Sequence, residues 1–328
     1  MPGPQRPAAL VLALSVLGAV VAAVLGLLTF GTQASARPDG VPLAVSAPDA
    51  MRPVVDRIAA HGEGAVAWRV ETPAAARQAL ADKDVYGVLE LTPAGATVVL
   101  SGAINPQGTQ VAQQVLTAAA AAGGGRVDTV TLNPVSTAGR TAPLAASALL
   151  WIAGLVGGAG LVVLGARLGL RADRRHRLAA VAGVSVTGVA VVAGLFALWD
   201  STLPLTASVL GYLLLIAVAF SSLQAALLRL LGVRAMALLG PLYLMAPAVA
   251  GQVPEMLDPV YRAVLWSWTP FRFATEGLRS LLQGTSSAPD VTTGVIVLGS
   301  IALAGVAVLV VPARTAAPTE AAEPILVG

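Results

Sequence analysis

The side chains in this chain that could do chemistry are few, and five of them sit together. Arg167, Arg171, Arg174, Arg175 and Arg177 fall within the segment Gly165–Arg177. Guanidinium groups at this density offer planar donors to partner carboxylates. They also suit a segment that fixes orientation against anionic lipid headgroups. A second concentration lies in Pro254–Gly284, where Tyr261, Trp266, Trp268, Phe271 and Phe273 supply five of the fourteen aromatic residues. Rings beside charges suit a membrane–water boundary. Glu276 and Arg279, three apart on a helix, could pair, although an exposed pair contributes only about 0–1 kcal/mol.

Other chemistries lack their parts. The only lysine, Lys83, stands in Ala81-Asp82-Lys83-Asp84 and not in a phosphate-binding loop of the form G-x-x-x-x-G-K-[ST]. No H-E-x-x-H or G-x-S-x-G motif occurs. The two histidines are His61 and His176, and the His61/Glu63 pair has no ligand cluster around it, so a helix end and turn is the simpler reading there. Without cysteine there is no disulfide, thiolate metal site or cysteine nucleophile. No catalytic, cofactor-binding or metal-binding residue is assigned.

The elements that must position these groups are apolar. Six runs, Ala8–Phe30, Pro143–Leu164, Leu178–Trp199, Leu205–Leu228, Ala235–Val253 and Val291–Val311, contain no Asp, Glu, Lys, Arg or His. Each has about 19–25 residues, which at ~1.5 Å rise per residue crosses a hydrocarbon core of ~30 Å. The chain is 56% hydrophobic and 11% charged, far from a soluble composition. A pI near 9.8 could suggest nucleic acid. The net charge is only +3, however, with the positive residues at the edges of the apolar runs, so nucleic acid is not expected as a partner. The fold class expected is an α-helical integral membrane protein with six transmembrane helices, and a small extracytoplasmic α/β domain between the first two.

Short loops set orientation. The Arg-rich loop, Arg229 and Arg234, and Arg314 fall on one side, while Asp200–Pro204 on the other side has no positive charge. This predicts a multi-pass protein of the cell membrane with both termini cytoplasmic and Gly31–Ala142 outside. Ala34-Ser35-Ala36 resembles a signal-peptidase site, but the preceding run of about 23 residues exceeds a signal h-region of roughly 7–15. Gly18, Ala22 and Gly26 also line one face at four-residue spacing. A retained anchor, residues 1–30, is the reading adopted.

Residues 31–142 read as a domain of their own. Strands are expected at Val41–Val45, Val66–Val70, Val85–Leu91, Ala96–Leu100 and Val127–Leu132, with helices at Pro48–His61, Pro73–Ala81 and Asn105–Ala122. Trp68 on a strand reads as core. The remaining units are a five-helix membrane core, 143–312, with the outer aromatic segment 254–284, and a cytoplasmic tail, 313–328.

The order of parts resembles the ABC-2-type membrane permeases, especially the phage infection protein-like branch. Three stretches carry the likeness: Val41-Pro-Leu-Ala-Val-Ser-Ala-Pro-Asp49; Ala74–Leu91 with Leu91-Thr92-Pro93 after it; and Trp268-Thr-Pro-Phe-Arg-Phe-Ala-Thr-Glu-Gly-Leu-Arg279. Met245-Ala-Pro-Ala-Val-Ala-Gly-Gln-Val-Pro254 departs from the more polar run of that branch. The resemblance implies a permease subunit of an ABC-type exporter, with ATP used by a separate ATPase subunit and no cofactor bound by this chain. Its partners would be that ATPase, a second permease in a homodimer or heterodimer, and the lipid bilayer. The alternative is a surface receptor or secretion-accessory membrane protein of the same branch. The resemblance further implies that the arginine loop meets the ATPase and that Trp266, Trp268, Pro270, Phe271, Glu276 and Arg279 belong to an outer gate. Gly154 and Gly158 form a G-x-x-x-G for helix packing or dimerisation. Ser221, Ser222 and Gln224 form an intramembrane polar cluster. Pro241 and Pro247 are expected to bend or interrupt the fifth helix.

Overall fold

The computed structural model describes residues 5–60, 64–122, 125–169, 173–284 and 289–312. His61, Glu63, Arg171, Arg314 and the tail 313–328 lie outside the described residues. A long helix α1 (Gln5–Ala34) leads into a mixed five-stranded sheet in the order β2-β1-β3-β4-β5. The strands are β1 (Val41–Ser46), β2 (Val66–Glu71), β3 (Val88–Thr92), β4 (Gly95–Ser101) and β5 (Arg126–Leu132). All pairings are parallel except the β3–β4 hairpin.

Alternation explains why both faces of this sheet are covered. In β1, Val41, Leu43 and Val45 join one core, with Val55 of α2 (Arg52–Ala60) and Ala112, Leu116 and Ala120 of α4 (Pro106–Ala122). Ala44 points the other way, toward Ala76, Ala79 and Leu80 of α3 (Pro73–Ala81). The outer strands β2 and β5 are the more polar and exposed, as edges should be. Trp68 packs half-buried against the α2/α4 core. The predicted strand Val85–Leu91 starts three residues later, because Val85, Tyr86 and Gly87 form a connector. Gly87 there approaches Leu116 and Ala112 more closely than a side chain would allow.

Among the described residues, five stretches are long and apolar enough to cross a membrane: 9–34, 137–167, 174–199, 207–250 and 289–310. The second is α5 (Thr137–Arg167), which starts six residues before Pro143 because Ser136 caps it, its side chain accepting from Gly139 N. Pro143 therefore lies inside a helix and not at its entrance, and the boundary expected at residue 142 falls within α5. Then follow α6 (Arg174–Trp199) and α7 (Ala207–Leu231).

The stretch 207–250 is not one rod. Gly232 has φ +60, the left-handed region, and starts a 3-10 turn, Gly232–Ala235, that ends α7. α8 (Met236–Ala250) then runs back. Tyr212, early in α7, bonds the carbonyl of Phe273. Arg229, late in α7, bonds the carbonyls of Val308 and Val311. Gln252 and Val253, just after α8, meet Asn105 and Gln107 of the α/β domain, which docks at the Tyr212 end. α8 has 15 residues, about 22 Å at 1.5 Å each, so it is shorter than the predicted run 235–253. It continues through both Pro241 and Pro247, so the expected interruption is absent; the break falls earlier, at Gly232.

The segment 254–284 holds a 3-10 turn (Pro254–Met256), a single turn α9 (Pro259–Tyr261), a π turn (Arg262–Trp266) and α10 (Pro270–Leu282). Pro270 occupies the first helical position, where its missing N–H costs nothing. The last helix is α11 (Pro289–Val310). α10 wedges into the bundle end below the α/β domain. Phe271 meets Trp151 of α5 at 4.8 Å and Phe220 of α7 at 5.1 Å between ring centroids. Thr275 Oγ1 lies 3.2 Å from Ser147 Oγ.

α1 stands at the periphery. A Cβ added at Gly18 or Gly26 would meet nothing within 4 Å among the described residues, so no close packing is seen at these two glycines of the expected small-residue face. α1 is held lower down, where the Tyr261 hydroxyl donates to Leu27 O at 3.0 Å and fills the space beside Gly31.

Candidate functional site

The junction between the α/β domain and the helices holds the densest set of buried charges. It begins with Lys83. Helix α3 ends in a paired C-terminal motif in which Lys83 N donates to Leu80 O and Asp84 N to Ala79 O. Lys83 takes the left-handed position, φ +66, where glycine is the ordinary choice. That conformation costs a residue with a Cβ roughly 1–2 kcal/mol. The turn projects the ammonium out of the domain and onto α11. Lys83 Nζ donates to Asp290 Oδ2 at 2.6 Å and to Ser280 Oγ. Ser280 Oγ also lies 2.8 Å from the same carboxylate oxygen. Burial pulls the Lys83 ammonium below its usual range, and Asp290 opposes that shift.

Four further bonds fasten the same surfaces. The Tyr86 hydroxyl donates to Glu255 Oε2 at 2.7 Å, Asn105 Nδ2 donates to Gln252 O at 3.3 Å, and Val253 N donates to Gln107 Oε1 at 3.0 Å. Asp39 N donates to Glu255 O at 2.9 Å. Burial, with Glu255 adding to it, pushes the Tyr86 phenol well above its ordinary value.

α10 brings the remaining charges. Arg272 is layered between rings, its guanidinium carbon 3.7 Å from the Trp266 centroid and 4.0 Å from that of Phe273. It reaches Glu276 at 4.0 Å. Glu276 therefore meets Arg272, and the expected Glu276–Arg279 ion pair does not close. Arg279 is 5% exposed, and its Nε has no protein partner. Burial lowers both arginines and raises Glu276, whose carboxyl is drawn back down by Arg272 and Arg279. A cavity of about 200 Å³ opens among Lys83, Tyr86, Asn105, Trp266, Glu276 and Arg279. Trp266 Nε1 is also without a protein partner.

Lys83, Arg272 and Arg279 face Glu255, Glu276 and Asp290, so the site is balanced in charge. No group of three or more metal-binding side chains occurs among the described residues. The arrangement can lock two bodies together and hold a few polar atoms in a half-open chamber.

Comparison with family models, curated proteins and solved structures found no match. Geometry alone therefore places the residues singled out in the sequence. Of the outer-gate set, Trp266, Glu276 and Arg279 line the chamber, Pro270 and Phe271 are buried in the wedge, and Trp268 is 51% exposed. The aromatic segment is thus divided between core and surface.

Gly154 and Gly158 face α7 within the chain. A Cβ at Gly154 would lie 2.2 Å from Gln224 Oε1, and one at Gly158 would lie 2.9 Å from Leu228 Cδ1. The polar cluster bonds to neighbouring helices: Ser221 Oγ lies 3.1 Å from Ser185 Oγ, Ser222 Oγ 3.5 Å from Ala302 O, and Gln224 Nε2 donates to Trp151 O at 3.0 Å. Arg167 ends α5, while Arg174, Arg175 and Arg177 open α6 behind the Asp173 cap. Arg167, Arg174 and Arg175 are exposed and Arg177 is half-buried. They lie at the bundle end opposite the charged junction, far from the gate residues.

Sequence pattern assigns Lys83, Tyr86, Glu255, Arg272, Ser280 and Asp290 to no site. Lys83 and Asp290 are 207 positions apart, and no local pattern links them. A lone lysine among nineteen arginines was the one available hint.

Proposed function

We propose that this chain is the membrane permease subunit of an ABC-type exporter, a six-pass protein worked by a separate ATPase subunit. The observation that carries the reading is the return of α8 beside the wedge α10. It supports six passes rather than five, with the α/β domain at one bundle end and the arginine segment at the other. Apolar side chains left exposed along α1, α6 and α11, such as Leu12, Leu198 and Leu303, suit a lipid surface. With the α/β domain outside, positive residues fall on the cytoplasmic side, where an ATPase would dock. The sequence resemblance to ABC-2-type permeases supports the same assignment.

On this reading the domain is clamped to α10 and α11 by Lys83–Asp290 and Tyr86–Glu255. A stroke delivered at the arginine end would pass along α5 and α11 to the wedge. The purified chain alone should neither bind nor hydrolyse ATP. Co-reconstituted with its ATPase, it should support ATP-dependent efflux from vesicles. The triple variant Arg174→Gln, Arg175→Gln, Arg177→Gln should hold its orientation through the remaining arginines and lower efflux per ATP. Robust hydrolysis by the chain alone, or a triple variant with full coupling, would refute this division of labour.

A further inference from the structure

At the bundle end away from the α/β domain, α5, α6 and α7 leave a groove of about 440 Å³. It exists because small residues stand where large ones would fill it: Gly158 on α5, Ala180 on α6 and Ala225 on α7. Leu161 and Leu228 make apolar walls. Along α5 the groove runs from Gly154 to Gly165, about 16 Å at 1.5 Å per residue. That is about half of a ~30 Å hydrocarbon core, the depth of a single leaflet.

Its mouth is cationic. Arg177, in the first turn of α6, and Arg229, at the end of α7, both line it. Arg229 is steadied by the carbonyls of Val308 and Val311, and its guanidinium keeps further donors free. Arg177 has no ion-pair partner among the described residues. An apolar slot one leaflet deep under two guanidinium groups matches an amphiphile with an anionic head and an alkyl tail. We propose that this groove seats an acyl chain of an anionic phospholipid, with its phosphate on Arg177 and Arg229.

The proposal rests on the membrane-spanning part of the function above and not on the ATPase. Bilayer tails are as apolar as the groove, so the tail gains little by entering it. Retention then depends on the shape of the groove, and selectivity depends on the arginines. The two therefore respond to different substitutions.

The test is native mass spectrometry of the full chain released from bilayer nanodiscs of phosphatidylglycerol and phosphatidylcholine in equal amounts. The wild type should retain phosphatidylglycerol at least tenfold over phosphatidylcholine. Arg177→Gln should bring that ratio toward one, and Arg177→Lys should restore most of it. Ala180→Leu with Ala225→Leu should reduce retention of both lipids. Equal retention in the wild type would overturn the proposal, and so would retention untouched by filling the groove, which would mean headgroups resting on exposed arginines. Displacement of the lipid by millimolar inorganic phosphate would assign the mouth to a free anion. Loss of a dimer in place of lipid in the filled variant would assign the groove to a second copy of the chain. A chain that never enters the nanodisc would sink the membrane reading itself, whereas every other outcome leaves that reading standing.

Discussion

Glu276 is the junction residue whose ionisation should be easiest to see. Burial raises its carboxyl, and Arg272 and Arg279 only partly offset this. A folded-state pKa above the unfolded value of about 4.3 means that the folded protein holds this proton more tightly than the unfolded chain. The contribution is then fully present below that value and lost as pH rises through the folded pKa. Glu276→Gln keeps the shape of the protonated acid and removes the titration. Its apparent melting temperature relative to wild type should therefore climb as pH is raised from about 4 to 8. A difference that shrinks over that interval would show that the arginines dominate and that Glu276 is held as a carboxylate. The charged pair nearby behaves differently: Lys83 and Asp290 are 18% and 17% exposed, between an open ion pair worth about 0–1 kcal/mol and a buried one whose disruption costs about 3–5.

The helix that organises this end of the molecule is α10, and what admits it is the absence of two side chains. Tyr212 of α7 sends its hydroxyl between α10 and α11 to Phe273 O at 2.8 Å. A Cβ at Gly277 would fall 2.1 Å from the Tyr212 hydroxyl oxygen, and one at Gly294 would fall 1.9 Å from it. Gly277→Ala should therefore push α10 off α7 and destabilise the protein by roughly 1–3 kcal/mol, the usual range for overpacking. Tyr212→Phe removes the obstructing oxygen and should recover part of the loss, although each change alone is harmful. Thermal unfolding of the two single variants and the double variant measures the coupling, and simple additivity would mean that α10 is not seated here. The strong apolar stripe of α10 was readable in Phe271, Ala274 and Leu278. Its destination was not, because a short amphipathic helix flanked by tryptophans looks alike whether it lies on a membrane surface or plugs a bundle. Phe271 settles between Trp151 and Phe220, residues more than fifty positions away in sequence.

The arrangement of all the helices can be tested without background labelling, because the chain has no cysteine. Thr129→Cys lies on the exposed edge strand of the α/β domain, and Leu168→Cys sits at the exposed end of α5. In intact cells an impermeant thiol reagent should modify position 129 and spare position 168; the reverse pattern would invert the orientation. Much of this plan was already legible along the chain. Apolar runs free of charge must be helical in a bilayer, since no water satisfies their backbone groups, and successive residues of a strand, about 3.4 Å apart, must face opposite sides of a sheet. Both rules act locally, so the helices near 137–167, 174–199, 207–231 and 289–310 and all five strands could be placed from neighbouring residues alone. The pairing of Lys83 with Asp290, the seating of Tyr212 against Gly277 and the groove beneath Arg177 and Arg229 join segments distant along the chain. Those depend on which helix faces close against each other, and in a chain this uniformly apolar, hydrophobicity does not choose among faces. Small residues and a few buried polar bonds make that choice, and their effect exists only once the helices have met.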